Sequence, residues 1–419
     1  MARNYRKKQN RSNNQRELRL YHFWPGPEQP PVNQLIALFT KKHPGVRVSQ
    51  NILEWWVYAA AMPRHIARGM CDVMITEAGQ MLQSFASVGL ISELTEIWEE
   101  NSYEKMFPEW ISKRCMIDGE VYGIPAKLYT FCIWYKKEIF KSHGLKPPET
   151  WDEFIEICER LKKTGLYPII SGGDGTSDWL INILARVGGK KFYDGLVEGR
   201  ESWIDSRVIT SYEMLRDISR DFFYPHPFGL DWRTAFSRFN AGAAAMMLQG
   251  DWVNTVMFYE NGYRPGVEYD CFPLPPVDRK SGQVMVVGGN AWVVPRNSEA
   301  PDLAREFIEF TCSSEAQNAM ARFGMGIMPT RVPARYYNPI TRKLIDELKG
   351  ETVYNMSASM PKKLRGLEQL LRMRIVLNPH IEAQEIKDLM TEMEIAAKEH
   401  HTLKGLSYLG MKALKDLSS

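Results

Sequence analysis

The sequence predicts an α/β protein divided into two lobes, and three observations carry that prediction. Strand and helix signals alternate along most of the chain, the pattern of a mainly parallel sheet covered by helices. The 419 residues are too many for one ordinary core. Third, Asp118-Gly-Glu-Val-Tyr-Gly-Ile-Pro125 leads into an apolar run from Leu128 to Tyr135, with a helix signal from Lys136. Pro125 lacks an N–H and holds its neighbour extended, so it is kept out of a paired central strand and taken as a passage from one lobe to the other. A two-lobed protein places its ligand in the cleft that such passages bridge.

In order, Leu18 to Phe23 reads as a first strand, ending at the turn Trp24-Pro25-Gly26-Pro27. Val32, Leu35, Ile36 and Phe39 then recur at helical spacing within Pro31 to Lys42. His43-Pro44-Gly45 stops that helix, and Val46 to Ile52 makes a second strand. A helix near Trp56 to Gly69 leads to the short buried strand Asp72 to Ile75, and another helix runs from about Gln80 to Val88.

Past Pro125 the alternation resumes. Thr150 caps a helix from Trp151 to Lys163, with Glu153 closing a capping box. Tyr167 to Ile170 is a strand ending in Ser171-Gly172-Gly173-Asp174-Gly175, and helices holding Trp179 to Val187 and Val208 to Asp221 follow. Arg233 to Asn240 is helical, and Ala243 to Leu248 is a strand that ends at Gln249-Gly250-Asp251-Trp252. Val284 to Val294, broken by Gly288-Gly289-Asn290, reads as a second crossing, and Ile327-Met328-Pro329-Thr330 as a third. Ala300 to Thr311 and Ser314 to Phe323 are helices. From about Arg335 the chain reads as almost wholly helical, interrupted at Pro339, Pro361 and Pro379. The expected division is a basic arm at 1–17, an N-terminal lobe of 18–124 and 287–328, and a C-terminal lobe of 125–286 and 329–419.

Charge is unevenly spread. Residues 1–19 hold seven basic side chains against Glu17, so this arm carries +6 of a net +3 and the rest of the chain carries −3. The arm is polar and rich in Asn and Gln, the composition of a disordered segment. It reads as a solvated tail, the remnant of a trimmed precursor, or a contact for nucleic acid or anionic lipid. No apolar h-region follows its charges, so it is not a signal peptide. No stretch reaches the length of a membrane span. Either an export signal is missing from this sequence or the protein stays in the cytoplasm. Cys71, Cys115, Cys132, Cys158, Cys271 and Cys312 show no CxxC spacing and read as small buried hydrophobes rather than a disulfide frame or a zinc site.

The catalytic templates fail in turn: no GxSxG, HExxH or GxxxxGK[ST] occurs. Gly172-Gly173-Asp174-Gly175 lacks the lysine and the spacing of a phosphate loop and reads as a strand-to-helix turn. His400-His401 sits in a polar helix and reads as a solvated face. Trp24, Trp179, Trp252 and Trp292 instead fall where strands end or turn. In open α/β sheets, ligands lie beyond the carboxyl ends of the strands. Flat apolar rings beside Asp, Glu, Gln and Asn suit a sugar, whose C–H face stacks while fixed polar groups take its hydroxyls.

A series of ordered motifs resembles the substrate-binding proteins of sugar ABC importers, the extracellular solute-binding family. They are Tyr21-His22-Phe23-Trp24; Phe39-Thr-Lys-Lys-His-Pro-Gly-Val46; Asp72-Val-Met-Ile75 with Gly89-Leu-Ile-Ser-Glu-Leu-Thr95; and Asp118 to Pro125 with Trp134-Tyr-Lys-Lys-Glu-Ile-Phe140. Pro148-Glu-Thr-Trp-Asp-Glu-Phe154, Phe239-Asn-Ala-Gly-Ala-Ala-Ala-Met246 with Gly250-Asp-Trp252, Gly288-Gly-Asn-Ala-Trp292 and Glu306-Phe-Ile-Glu-Phe310 complete it. The resemblance spans about Leu18 to His400. It implies a type II periplasmic-binding-protein fold with a ligand cleft between lobes and three interlobe crossings. Residue by residue, it implies substrate-binding positions at His22, Trp24, Glu77, Gln80, Tyr129, Asp174, Trp179, Asp251, Trp252, Gly288, Gly289 and Asn290. Trp55, Trp56, Trp232 and Arg331 are further candidates that the motifs do not place.

The implied function is non-enzymatic: a carbohydrate ligand bound by hinge closure, ABC permease subunits as partners, a monomer, and no cofactor or metal. The implied place is the periplasm or cell surface. The family's lipid-accepting Cys just before the mature domain has no counterpart, since the first Cys is Cys71. The rival expectation is a cytoplasmic ligand-sensing domain of a transcriptional regulator, with the basic arm leading to a DNA-binding module or touching nucleic acid itself.

Overall fold

The computed structural model describes residues 16–277, 282–378, 380–382 and 384–400. The basic arm up to residue 15, Pro379 and His401 lie outside the described residues. The chain forms two compact units, one of residues 1–127 and 290–336 and one of 128–289 and 337–419. It therefore changes unit after Lys127, Gly289 and Tyr336, where the sequence reading set the divisions after residues 124, 286 and 328.

In the first unit, strand Arg16–His22 pairs in parallel with Val46–Ile52 on one side and Val73–Glu77 on the other. The last residues of strand Val284–Val293 lie antiparallel to Val73–Glu77, with Asn290 opposite Glu77 and Trp292 opposite Ile75. Helix Gln29–Lys42 buries Val32, Leu35 and Phe39, one face at 3.6-residue spacing. Phe39 meets Phe307 of helix Pro301–Cys312 edge-on, with centroids 5.1 Å apart. Arg19 grips Asp72 through Nε at 2.9 Å and Nη2 at 2.8 Å, and Ser298 Oγ donates to the same carboxylate at 2.9 Å. This bidentate pair fastens the start of Val73–Glu77 to the middle of the neighbouring strand Arg16–His22.

In the second unit, strand Ile124–Lys136 pairs antiparallel with Ala244–Gly250 and with Tyr269–Phe272 over Phe131–Lys136. Ala244–Gly250 pairs in parallel with Tyr167–Ile169, and Val284–Val287 with Glu351–Tyr354. Helices Trp151–Lys163, Gly175–Val197, Ser206–Phe222 and Lys362–Leu377 contribute Phe154, Ile183, Tyr212 and Leu371 to one apolar core. Thr150 caps the first of these: its Oγ1 accepts from Glu153 N–H at 3.3 Å. The Glu153 carboxylate closes the box on Glu149 N–H at 2.7 Å, one residue earlier than the usual partner.

Three expectations need correction. Pro125 is the second residue of the 13-residue strand Ile124–Lys136 rather than a break before it. It is tolerated there because a proline's missing N–H matters little at a strand's start. Gly288-Gly289-Asn290 does not interrupt its segment, since Val284–Val293 is one strand. The segment after Arg335, read as almost wholly helical, also contains the strand Glu351–Tyr354. The second unit's sheet is mixed rather than mainly parallel, as the pairings above show. All six cysteines are free and buried.

Candidate functional site

The first unit's candidate residues gather where its strands end. His22 closes strand Arg16–His22 and is fully buried. Its Nδ1 accepts from Trp24 N–H at 3.3 Å, so Nε2 carries the proton and donates to Gln50 Oε1 at 3.0 Å. Burial holds this imidazole neutral by pushing its pKa down to about 4, against a smaller raising effect from Gln50. Trp24 is also buried, edge-on to Trp292 at 5.6 Å and 90°. Both side chains are therefore engaged in packing and not presented at the surface. The strand ends carried the family motif, but the turn Trp24-Pro25-Gly26-Pro27 folds the ring inward.

Glu77 and Asn290 stand opposite each other on adjacent strands. Glu77 is half-buried and Asn290 buried. Gln80 is the first residue of helix Gln80–Ser87 and donates to Ser84 Oγ at 3.3 Å. Gly79, with φ 111°, turns the chain between Glu77 and that helix in a conformation few other residues adopt. Sequence reasoning missed Lys127 and Glu28. Their charged ends lie 3.9 Å apart, both buried, and Glu28 directly follows the turn Trp24-Pro25-Gly26-Pro27. A buried cation in this position escapes notice because Lys127 only borders the apolar run from Leu128 and carries no motif of its own.

The second unit presents a different surface. Strand Ala244–Gly250 ends at Gly250, and Trp252 opens helix Trp252–Asn261. The Trp252 indole lies back over Gly250, where a Cβ would overlap its ring. The Tyr129 ring lies over Gly288 in the same way. Tyr129 and Trp252 meet at 5.9 Å and 71°, and Phe131 completes the group at 6.0 Å from Trp252. Trp252 remains half-buried. Asp251 is buried at the head of the same helix, its N–H donating to Thr130 O at 3.0 Å. Gly289 is buried beside Gly288.

Hydrogen bonds extend from this aromatic pair across three more segments. Asn355 Nδ2 donates to Tyr129 Oη at 3.1 Å, and Asn355 Oδ1 accepts from Ser357 N–H at 3.0 Å. Ser357 Oγ meets Ser177 Oγ at 3.1 Å. Ser177 lies in the first turn of helix Gly175–Val197, directly after Asp174. Asp174 is half-buried, and burial raises its carboxyl pKa above the ordinary carboxylate value. The N–H groups of Gly175 and Asp174 oppose that shift, the Asp231 carboxylate adds to it, and the Arg372 guanidinium opposes it.

The structure thus brings Tyr129, Asp251, Trp252, Gly288 and Gly289 together and connects them to the Asp174 turn. Asn355, Ser177 and Ser357 were missed. Asn355 follows a four-residue strand that carries no visible period, and two lone serines give no signal in a sequence.

Trp179 is placed elsewhere. It is fully buried between Phe154 and Phe223, at 6.0 and 5.8 Å, inside the core of the second unit. It is the fifth residue of its helix, and its ring serves the packing of that core. Trp292 is likewise buried. Of the further candidates, Trp55 packs edge-on to Phe23 at 4.7 Å, and Trp232 lies under the Arg233 guanidinium at 4.4 Å. Arg331 is exposed. The side chain of Trp56 lies outside the described residues.

A family model described as bacterial extracellular solute-binding protein matches residues 25–318. The chain belongs to that family. This solute-binding protein is 26% identical over 357 residues to an uncharacterised ABC transporter extracellular-binding protein of Pyrococcus horikoshii, covering 79% of this chain and 76% of the relative. It is 23% identical to a probable sugar-binding periplasmic protein of Mesorhizobium japonicum, over 69% of this chain and 70% of that one. Among solved structures, the bacterial solute receptor AcbH, described as exclusive for β-D-galactopyranose, superposes with a TM-score of 0.82 at 19% identity. It covers 92% of this chain and all of the receptor. That likeness establishes the type II periplasmic-binding-protein fold. The family consists of solute-binding proteins rather than enzymes. Among the described residues, no helix is long and apolar enough to cross a membrane.

Proposed function

We propose that this solute-binding protein is the substrate-binding component of a carbohydrate ABC importer and takes up a mono- or oligosaccharide. The observation that carries the reading is the pair Tyr129 and Trp252, each ring seated over a glycine, with Asp251 and the Asn355–Ser357–Ser177 chain beside it. A half-exposed indole offers a flat apolar surface to the C–H face of a pyranose, and fixed carboxylate, amide and hydroxyl groups select its hydroxyls. The sugar-binding names of the Mesorhizobium japonicum relative and of the galactopyranose receptor support the same ligand class.

In this reading Tyr129, Asp174, Asp251, Trp252, Gly288 and Gly289 serve the ligand, and Glu77, Gln80 and Asn290 are further ligand-binding positions. The protein performs no reaction. It acts as a monomer outside the cytoplasmic membrane and delivers its ligand to ABC permease subunits. The hinge closure that the family resemblance implies belongs to the same reading. Neither the family match nor the relatives named above support a transcriptional regulator. Titration calorimetry with a panel of mono- and oligosaccharides tests the proposal. Saturable binding of at least one sugar, with a fall in radius of gyration by small-angle scattering, is expected. A folded protein that binds no sugar or polyol would refute it.

A further inference from the structure

We propose that Arg372, held in place by Glu368, is a positioning residue for the binding turn that carries Asp174. The inference rests on the carbohydrate-binding reading above and names a residue far from the aromatic pair in sequence. After strand Tyr167–Ile169 the chain turns through Gly172-Gly173-Asp174 into helix Gly175–Val197. The Asp174 side chain does not cap that helix, and its Oδ1 has no hydrogen-bond partner among the described residues.

The turn is fastened by helix Lys362–Leu377 instead. Arg372 Nη1 donates to Gly173 O at 3.1 Å and also to Thr176 Oγ1. The Thr176 hydroxyl donates to the same Gly173 O at 2.6 Å. Arg372 Nε is bonded to Glu368 Oε1 at 2.8 Å, and the two residues are 5% and 3% exposed. A buried ion pair adds little net stability, because desolvation largely offsets the attraction and an apolar pair of similar volume serves as well. This pair does something an apolar pair could not: its remaining donors hold one carbonyl and one hydroxyl on either side of Asp174, which sets the direction of the carboxylate.

The groups that act on that carboxylate are few. Burial and Asp231 disfavour its charged form, whereas the N–H groups of Gly175 and Asp174 and the Arg372 cation favour it. An ionised Asp174 accepts hydrogen bonds from ligand hydroxyls at both oxygens, and protonation turns one of those oxygens into a donor and weakens the acceptor that is left. Removing Arg372 therefore moves the acid limit of ligand binding to higher pH as well as loosening the turn.

The test compares the wild-type chain with Arg372→Met and Arg372→Lys, by hydrogen–deuterium exchange and by sugar titration at several pH values. Arg372→Met is expected to speed exchange of the amides in 173–177 roughly tenfold or more, with helix Trp151–Lys163 unchanged. Sugar affinity should fall, its acid limit should rise, and Arg372→Lys should recover part of each effect. Unchanged exchange at 173–177, or an equal rise throughout the second unit, overturns the inference, the latter by making Arg372 a plain core residue. If Arg372→Met does not fold, Thr176→Val removes one arm of the contact and keeps the buried ion pair, with the same exchange readout. If the wild type binds no sugar, the carbohydrate reading fails, while local exchange still decides whether Arg372 positions the turn.

Discussion

Trp24 and Trp252 each lie two residues beyond the end of a strand, Arg16–His22 in one unit and Ala244–Gly250 in the other. Trp24 is 2% exposed and packs edge-on against Trp292, whereas Trp252 stays half-buried and faces Tyr129. The difference lies in the last residue of each strand. At Gly250 there is no side chain, so the indole folds back over the strand end and keeps one surface open. At His22 an imidazole already fills that place and takes the Trp24 N–H, so the indole turns into the core. A strand-end tryptophan is presented or hidden according to the volume two residues before it.

The largest expected effect tests the presented ring. Trp252→Ala should weaken sugar binding by about a hundredfold, the loss usual when a central aromatic anchor is truncated. Calorimetry reads that loss, and thermal unfolding should change little because the ring is only half-buried. An unaltered affinity would end the contrast between the two tryptophans.

The hidden end offers a pH test. The folded-state pKa of His22 is pushed down to about 4 from the ordinary imidazole value of 6.5, so its stabilising contribution is complete above about pH 6.5 and is lost as pH falls towards 4. At about 1.4 kcal/mol per pH unit, the loss approaches about 3 kcal/mol. His22→Asn, whose amide oxygen can accept from Trp24 N–H, should flatten the fall in denaturant midpoint over that range.

Gly250→Ala makes the second strand end resemble the first. A methyl group there overlaps the Trp252 ring, so the ring must move, with an expected cost of about 1–3 kcal/mol in stability. Sugar affinity should drop with it. Equilibrium unfolding and calorimetry on one preparation would show whether the two losses appear together.

The smallest effect belongs to Trp179. Its Nε1–H has no acceptor among the described residues. Trp179→Phe removes an unsatisfied donor while retaining an aromatic ring, so stability should change by no more than about 1.5 kcal/mol and affinity not at all. A clear loss of sugar binding in this variant would return Trp179 to the binding surface.

Much of the fold was legible because its elements carry dense, local signals. Val46–Ile52 and Trp151–Lys163 have the bounds read from the sequence, the first from its flanking breakers and the second from its Thr150 cap and apolar period. The strands Tyr269–Phe272 and Glu351–Tyr354 were not legible. Four residues hold at most two turns of alternation, and what makes them strands is pairing with Ile124–Lys136 and Val284–Val293, far off in sequence. The binding surface was legible in part for a related reason. Trp179 and Trp252 both follow a Gly/Asp turn. One is the fifth residue of its helix and the other the first, and a few residues along a helix decide whether a ring enters the core or lies over the strand end. Asn355 inherited the invisibility of the strand before it.

The antiparallel partner of Val73–Glu77 arrives late in synthesis. Asn290–Val293 follows its partner by more than 200 residues, and the second unit's first segment, 128–289, is made in between. At 5–20 residues per second, that interval is roughly 10–40 s. During that time the strand end bearing Glu77 has one edge unpaired. The order in which the chain emerges therefore lets helix Trp151–Lys163 and its neighbours begin to condense before the older unit can finish its sheet.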